Sequence, residues 1–110
     1  MFGTIMRARI KEGKRDEYIR FLRELVPTAE DYGQGLHSVE LGWEDADPQR
    51  VVMVIHFRDK ESYRANAQRP ETDAEFRRQA EFFDGEPEWI DVEYVEYVGQ
   101  PVTATAEARA

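Results

Sequence analysis

Cysteine is absent from this chain of 110 residues, and its absence removes several kinds of chemistry. Without a thiol there is no disulfide, thiolate nucleophile, iron–sulfur cluster or cysteine-ligated zinc site. A chain without cysteine fits a reducing compartment, so we expect a cytoplasmic protein. Long apolar runs are absent too, since the longest, from Val51 to Ile55, is far shorter than the roughly 20 residues that cross a bilayer. No membrane partner is therefore expected.

Positive charge is in the minority, with 15 Lys and Arg against 23 Asp and Glu, for a formal net charge of −8. Nucleic acids and anionic membranes attract clustered positive charge, so we expect neither as a partner. The 41% of hydrophobic residues are enough for one core at this length. We expect a single domain over residues 1–99, followed by an Ala- and Thr-rich flexible tail over residues 100–110.

Hydrophobic periodicity changes several times along the chain. Residues at 4–10, 36–43, 50–57 and 89–98 alternate or are continuously apolar, which predicts strands. Tyr18, Leu22 and Leu25 recur at helical spacing, and Pro27 predicts a bend or a restart of that helix. Asp59 is the predicted N-cap of a short helix that Pro70 stops, and a capping box at 72–75 opens another.

The order of these elements, β-α-β-β-α-β with one helix doubled, predicts an α+β protein of ferredoxin-like topology. Such units build a four-stranded antiparallel sheet with the helices on one face. However, Val51 and Met53 alternate with Val52 and Val54, so the third strand is apolar on both faces. Two helices cover only one face, and the other would expose a large apolar patch. We therefore expect a homodimer that packs sheet on sheet.

Two stretches carry a family resemblance. They are Gly3-Thr-Ile-Met-Arg-Ala-Arg-Ile-Lys-Glu-Gly13 and Val54-Ile-His-Phe-Arg-Asp-Lys-Glu-Ser-Tyr-Arg-Ala-Asn66, the latter followed by Gln68-Arg-Pro70. With them the chain resembles the antibiotic biosynthesis monooxygenase-like family over residues 2 to about 98. The resemblance implies a dimeric α/β barrel built from ferredoxin-like protomers.

The superfamily includes cofactor-free quinone-forming monooxygenases, haem-degrading enzymes, isomerases, decarboxylases and members without known activity. Met6, Asn66 and Phe76 stand where the haem-degrading relatives have Asn, Trp and an iron-binding His, so no haem is expected. The resemblance implies a cofactor-independent monooxygenase for a small aromatic or polyketide-like substrate, bound between sheet and helices. The alternative is a non-catalytic dimeric domain that binds a small hydrophobic ligand or assists a pathway partner.

Three residues are candidates for catalysis in such a reaction. His56 lies on the most apolar strand and would act as the base that removes a proton from a phenol or enol. Asn66 or Tyr63 would donate hydrogen bonds to the developing oxyanion. The structural alternatives are a half-buried histidine, helix-to-sheet packing for Tyr63, and a helix-capping role for Asn66.

The second histidine, His37, is a candidate because the predicted hairpin brings it close to His56. A turn centred between Ala46 and Asp47 places His37 opposite His56 and Val39 opposite Val54. Neighbouring imidazoles could titrate together, bind substrate, supply two metal ligands, or be only structural. No spacing supplies a third protein ligand, so no metal is expected.

Aromatic side chains could line the ligand cavity, although plain core packing is the alternative for each. The predicted substrate-binding set is His37, Trp43, Phe76, Phe83 and Trp89. On the first strand, Arg7 and Arg9 are predicted to form ion pairs with the acidic residues Asp91, Glu93 or Glu96 of the last strand, with binding of an anionic group as the alternative.

Overall fold

A computed structural model describes residues 1–25 and 27–95 of the chain. Its elements are, in order, β1 (Phe2–Arg9), α1 (Arg15–Glu24), α2 (Ala29–Gly33), β2 (Leu36–Trp43), β3 (Arg50–Phe57), α3 (Lys60–Ala67), α4 (Pro70–Ala80) and β4 (Glu88–Glu93). The predicted flexible tail, residues 100–110, lies outside the described residues, and so does the end of the predicted last strand at Val98. No helix in the described ranges is long and apolar enough to cross a membrane.

The four strands form one antiparallel sheet in the order β2-β3-β1-β4. This confirms the predicted α+β, ferredoxin-like arrangement with helices. The central strands are β1 and β3, and β3 has the most apolar sequence of the four. Their pairing sets Met6 opposite Met53 and Ile5 opposite Val54.

Helix boundaries follow the local signals in most places. Pro27 separates α1 from α2, and α2 begins with a capping box between Thr28 and Asp31. Asp59 caps α3 as predicted, because its carboxylate accepts a hydrogen bond of 2.7 Å from the backbone N–H of Ser62. The predicted start of α4 at Thr72 is wrong, since the helix begins at Pro70. Proline suits a first helical turn, where its missing N–H would have no partner.

The sheet has two faces of different character. The helix face, defined by Met6, Val51 and Met53, packs against the helices and holds the buried core. That core consists of Met6, Ala8, Ile10, Tyr18, Val51, Met53 and Phe83. The open face, which no helix of the described chain covers, is defined by Ile5, Val52, Val54, Ile90 and Val92. Any site on the sheet must belong to one face or the other.

Candidate functional site

The helix face contains a cleft between β4 and α4, which we call the aromatic cleft. It has a volume of about 390 Å³ and is lined by Phe76, Ala80, Phe83, Gly85, Glu86, Pro87 and Trp89. The ring centroid of Phe76 is 5.7 Å from that of Trp89 and 6.1 Å from that of Phe83. The size lies within the usual range for small-molecule sites, which are mostly apolar. Phe76, Phe83 and Trp89 of the predicted substrate-binding set thus come together here.

A polar group on the same face lies next to this cleft, and we call it the Asp91 cluster: Thr4, Tyr63 and Asp91. The hydroxyls of Thr4 and Tyr63 both donate hydrogen bonds to Oδ1 of Asp91, at 2.8 and 3.1 Å. Thr4 is only 3% exposed, so its hydroxyl sits in a fixed, largely dry position. Partial burial and the hydrogen bond to Asp91 raise the pKa of Tyr63, so its hydroxyl stays protonated at neutral pH.

The strand register connects the cleft to the Asp91 cluster. Trp89 pairs with Met6 and Asp91 pairs with Thr4, so both β4 side chains are on the helix face. Residues two apart on a strand are separated by roughly 7 Å. The Tyr63 ring packs between Phe2 and Phe57, with centroid distances of 5.0 and 5.5 Å. The helix face therefore offers an aromatic surface with fixed hydroxyl and carboxylate groups beside it.

Asn66 belongs to the same region of α3. It follows Tyr63 by three residues, and residues at this spacing lie on one side of a helix. Its side chain is half-buried, and within residues 1–25 and 27–95 it makes no hydrogen bond. The α3 helix is capped at Gln68 rather than at Asn66. The amide is thus free to interact with a molecule at the cluster.

His56 lies on the open face, away from Tyr63 and Asn66. Its side chain is 17% exposed, and Nε2 is 3.1 Å from Oε1 of Glu40. Nδ1 is buried and has no hydrogen-bond partner in the described part of the chain. Successive strand residues point to opposite faces; because Phe57 contacts Tyr63, His56 points the other way. Within one protomer the structure therefore separates His56 from the other two predicted catalytic residues, Tyr63 and Asn66.

The two histidines are neighbours, although the predicted register is wrong by one residue. Val39 pairs with Ile55 and Ser38 with His56, and the pairing is irregular between Leu36 and Ser38. His37 is the extra residue of this bulge, and its ring centroid is 6.5 Å from that of His56. The turn lies at a different position from the predicted one, which shifts the register by one residue. The bulge nevertheless brings the rings of His37 and His56 close to each other. His37 is exposed and not in the aromatic cleft. No group of three His, Cys, Asp or Glu within the described ranges could hold a metal.

Trp43 is also apart from the aromatic cleft. It sits on the helix face of the edge strand β2, where the guanidinium of Arg15 lies 4.2 Å from the centre of its ring. Trp43 also packs against the ring of Tyr18, with 6.3 Å between the two ring centroids. Trp43 therefore shields the end of the core near α1, and the structure assigns it no place beside Phe76 and Trp89.

The ion pairs of Arg7 and Arg9 differ from the predicted ones. Arg7 makes two hydrogen bonds of 3.0 Å to Glu44 and one of 3.1 Å to Glu88. These bonds lower the pKa of Glu44. Arg9 pairs with Asp47. Of the predicted partners, Asp91 faces the helices whereas the arginines face the open side, and Glu96 lies outside the described residues.

Asp91 and Thr4 are the residues of this region that the sequence patterns did not predict as site residues. The pairing of β1 with β4 brings together residues that are 87 positions apart in the chain. Alternation on β4 was the available signal, because Asp91 falls on the same face as Trp89. Alternation alone does not select Asp91, however, because Glu93 falls on the same face of β4.

Comparisons with known proteins agree with this fold. A family model described as "Antibiotic biosynthesis monooxygenase" matches residues 1–79. No curated protein matches the sequence. A crystal structure described as an antibiotic biosynthesis monooxygenase is 15% identical, with a TM-score of 0.69, and the alignment covers 87% of this chain and 100% of that one.

Two further solved structures are similar at the level of the fold. A protein from Mycobacterium tuberculosis is 11% identical with a TM-score of 0.71, and the alignment covers 89% of this chain and 98% of that one. A conserved protein from Methanosarcina mazei is 17% identical with a TM-score of 0.69, with 83% and 89% covered. At these identities the likeness shows the fold alone.

Proposed function

The chain belongs to the antibiotic biosynthesis monooxygenase family, and from this premise we propose that it is a cofactor-independent monooxygenase. The substrate is a small aromatic or polyketide-like molecule bound between the sheet and the helices. The observation that carries the proposal is the aromatic cleft of about 390 Å³ with the hydroxyls of Thr4 and Tyr63 and the Asp91 carboxylate beside it. The rings of Phe76 and Trp89 would stack on the substrate, and the polar cluster would face its oxygen.

The reaction converts an electron-rich phenol into a quinone with O₂ as the oxidant. The ring loses one hydrogen from carbon and one from the hydroxyl. One oxygen atom enters the ring as a carbonyl, and the other leaves as water with those two hydrogens. The substrate loses four electrons and O₂ gains four. The protein has to hold the ring, exclude bulk water and handle the proton of the hydroxyl.

Tyr63 and Asn66 are the predicted catalytic residues that this location supports. The half-buried amide of Asn66 and the hydroxyl of Tyr63 lie on one side of α3. The amide of Asn66 can donate a hydrogen bond as negative charge develops on the substrate oxygen, whereas the hydroxyl of Tyr63 donates to Asp91 and acts on the site through that carboxylate. His56 as the base stays a prediction from the sequence, and its position on the open face does not support it. Equal rates for the wild type and His56→Ala would remove His56 from the mechanism.

We also infer that two copies pair through their open faces. Ile5, Val52 and Val54 are only partly covered there, and Ile90 is half-exposed. This strip lies on the middle of the sheet, between the Arg7 ion pairs at one end and the pair of His56 with Glu40 at the other. Packing the strips together would remove the apolar patch from water, and each protomer would keep its own aromatic cleft.

A second candidate function is a non-catalytic dimeric domain that binds a small hydrophobic ligand or assists a pathway partner. The observation that favours it is the separation of His56 from the cleft. Such a domain needs the apolar surface of Phe76 and Trp89 but no proton acceptor.

Quinone formation tests the proposal directly. Purified protein would be incubated with 1-naphthol in air, and 1,4-naphthoquinone would be followed by its absorbance. We expect product above the protein-free rate, none without O₂, and a loss of about 10-fold in Trp89→Ala because the stacking surface is removed. Tyr32→Ala is the matched control, since Tyr32 is similarly exposed (50% against 47%) but lies on α2.

The possible results separate the two candidate functions. Binding of 1-naphthol without any O₂-dependent product would contradict the monooxygenase and support the binding domain. A rate that Trp89→Ala and Tyr32→Ala lower equally would place the reaction outside the aromatic cleft.

A further inference from the structure

We propose that Asp91 accepts the hydroxyl proton of the substrate, and that Thr4 and Tyr63 hold its carboxylate in place for this purpose. In these terms Asp91 is a catalytic residue and Thr4 a positioning residue. The inference rests on the proposed function, because it assumes that the substrate binds in the aromatic cleft. It goes further by naming the residue that accepts the proton.

The hydrogen bonds around Asp91 leave one oxygen fixed and the other free. Oδ1 accepts from Thr4 at 2.8 Å and from Tyr63 at 3.1 Å. Oδ2 has no hydrogen-bond partner among residues 1–25 and 27–95. An ionised carboxylate has acceptor capacity on both oxygens. The occupied Oδ1 therefore orients the group, and Oδ2 keeps its capacity for an added molecule.

The two donors are themselves held firmly. Thr4 lies in the central strand β1 and is 3% exposed. The ring of Tyr63 is fixed by Phe2 and Phe57 on the helix face. A carboxylate held by donors that are packed in this way is preorganised, so little reorganisation is needed when a substrate binds.

Other carboxylates near the cleft do not share this arrangement. Glu88 is paired with Arg7 on the open face. Glu86 lines the cleft but makes no hydrogen bond within the part of the chain that the structure describes. Glu93 is exposed, as Asp91 is, but it stands two residues further along β4 and has no side-chain hydrogen bond within the described residues. Asp91 alone among these four combines a held oxygen with a place beside Trp89 on the helix face.

The chemical step is a proton transfer linked to electron transfer. The O–H bond of the phenol breaks, the proton bonds to Oδ2 of Asp91, and one electron passes from the ring to O₂, which becomes superoxide. A phenol that loses an electron becomes far more acidic, so a carboxylate is then a sufficient base. When the O–O bond later breaks, this proton leaves in the water, and Asp91 returns to its ionised form.

Binding of a matched pair of probes tests the assignment without turnover. 1-Naphthol can donate its hydroxyl proton, whereas 1-methoxynaphthalene cannot. Affinities would be measured by NMR titration under nitrogen. We expect the wild type to bind the naphthol about 10-fold more tightly, the value of one hydrogen bond to a charged acceptor.

Four variants make the test specific. In Asp91→Asn the amide oxygen would accept from Thr4 and Tyr63, so the free position becomes an NH₂ donor. The preference should then fall below about 2-fold, and Thr4→Val should lower it partly while Thr4→Ser retains it. Glu93→Gln removes a neighbouring charge and should keep the full preference.

Turnover completes the test. With 1-naphthol in air, Asp91→Asn should lower kcat by about 100-fold, the size typical of losing a general base. A wild type without preference for naphthol, or a preference unchanged in Asp91→Asn, would overturn the inference.

Two further results separate this inference from the proposed function. Equal kcat in the wild type and Asp91→Asn would overturn the inference and leave the monooxygenase proposal intact. Full binding preference without any quinone from the wild type would overturn the monooxygenase proposal and the proton-transfer step with it.

Discussion

The helix face and the open face of this sheet use the same strands but differ in what they place at the surface. The helix face has an aromatic cleft with the Asp91 carboxylate beside it. The open face has an apolar strip between the Arg7 ion pairs and His56. Because successive residues of a strand face opposite ways, Phe57 of β3 contacts Tyr63 on one face while His56 contacts Glu40 on the other. Adjacency in sequence is therefore poor evidence that two residues share a site.

The largest effect should come from the buried side of β1. Met6 is fully buried on the helix face, whereas its neighbour Ile5 points to the open face. Met6→Ala should reduce the free energy of unfolding by about 2–5 kcal/mol, because it leaves a cavity. Ile5→Ala should cost less in dilute protein, about 1 kcal/mol, since Ile5 is not enclosed within the protomer. Denaturant unfolding measures both, and equal losses would contradict the division into faces.

The next effect concerns association through the open face. Val54→Asp should weaken the proposed dimer by about 100-fold or more, because the interface would bury an unpaired carboxylate. Sedimentation should then show the protomer mass of 12.9 kDa in place of about twice that value. Val39→Asp is the control, since Val39 lies on the helix side of the edge strand and is 42% exposed. A wild type that sediments as a monomer would end the dimer proposal.

A smaller effect distinguishes the buried phenol of the helix face. Tyr18 is fully buried and donates a hydrogen bond of 2.7 Å to Gln79. Tyr18→Phe should lower the free energy of unfolding by about 1 kcal/mol at neutral pH. Tyr32→Phe, at an exposed tyrosine of α2, is the control and should follow the wild type.

The same variant should change the response to alkali. Burial raises the pKa of Tyr18 above the ordinary value of 10.0. Its neutral form is therefore favoured by folding: the associated stability is complete below about pH 10 and is lost as pH rises further. Unfolding curves from pH 8 to 12 should fall less steeply in Tyr18→Phe than in the wild type. Identical slopes would mean that the phenol ionises without cost in the folded state.

Local signals predicted most of the fold. Alternation gave the strands, Pro27 divided α1 from α2, and Asp59 capped α3. The start of α4 was missed because a proline was interpreted only as a stop signal. The hairpin register was wrong by one residue because the turn is not centred between Ala46 and Asp47, and no pattern in the sequence indicated the bulge at His37.

The candidate site was predicted only in part. Phe76, Phe83 and Trp89 do share a cleft, with Phe76 on α4, Trp89 on β4 and Phe83 in the segment that connects them. His37, His56 and Trp43 lie elsewhere. The link between Thr4 and Asp91 depends on the pairing of β1 with β4, the first and last strands, which no short-range pattern reveals.

The amino-acid sequence by itself determined the element order, the apolar strands and the absence of thiol chemistry, because periodicity and composition are local properties. The tertiary structure alone decided which side chains share a surface. Strand pairing sets the register, and a shift by one residue moves a side chain to the other face of the sheet. This long-range pairing placed Asp91 beside the aromatic cleft on the helix face and His56 on the open face.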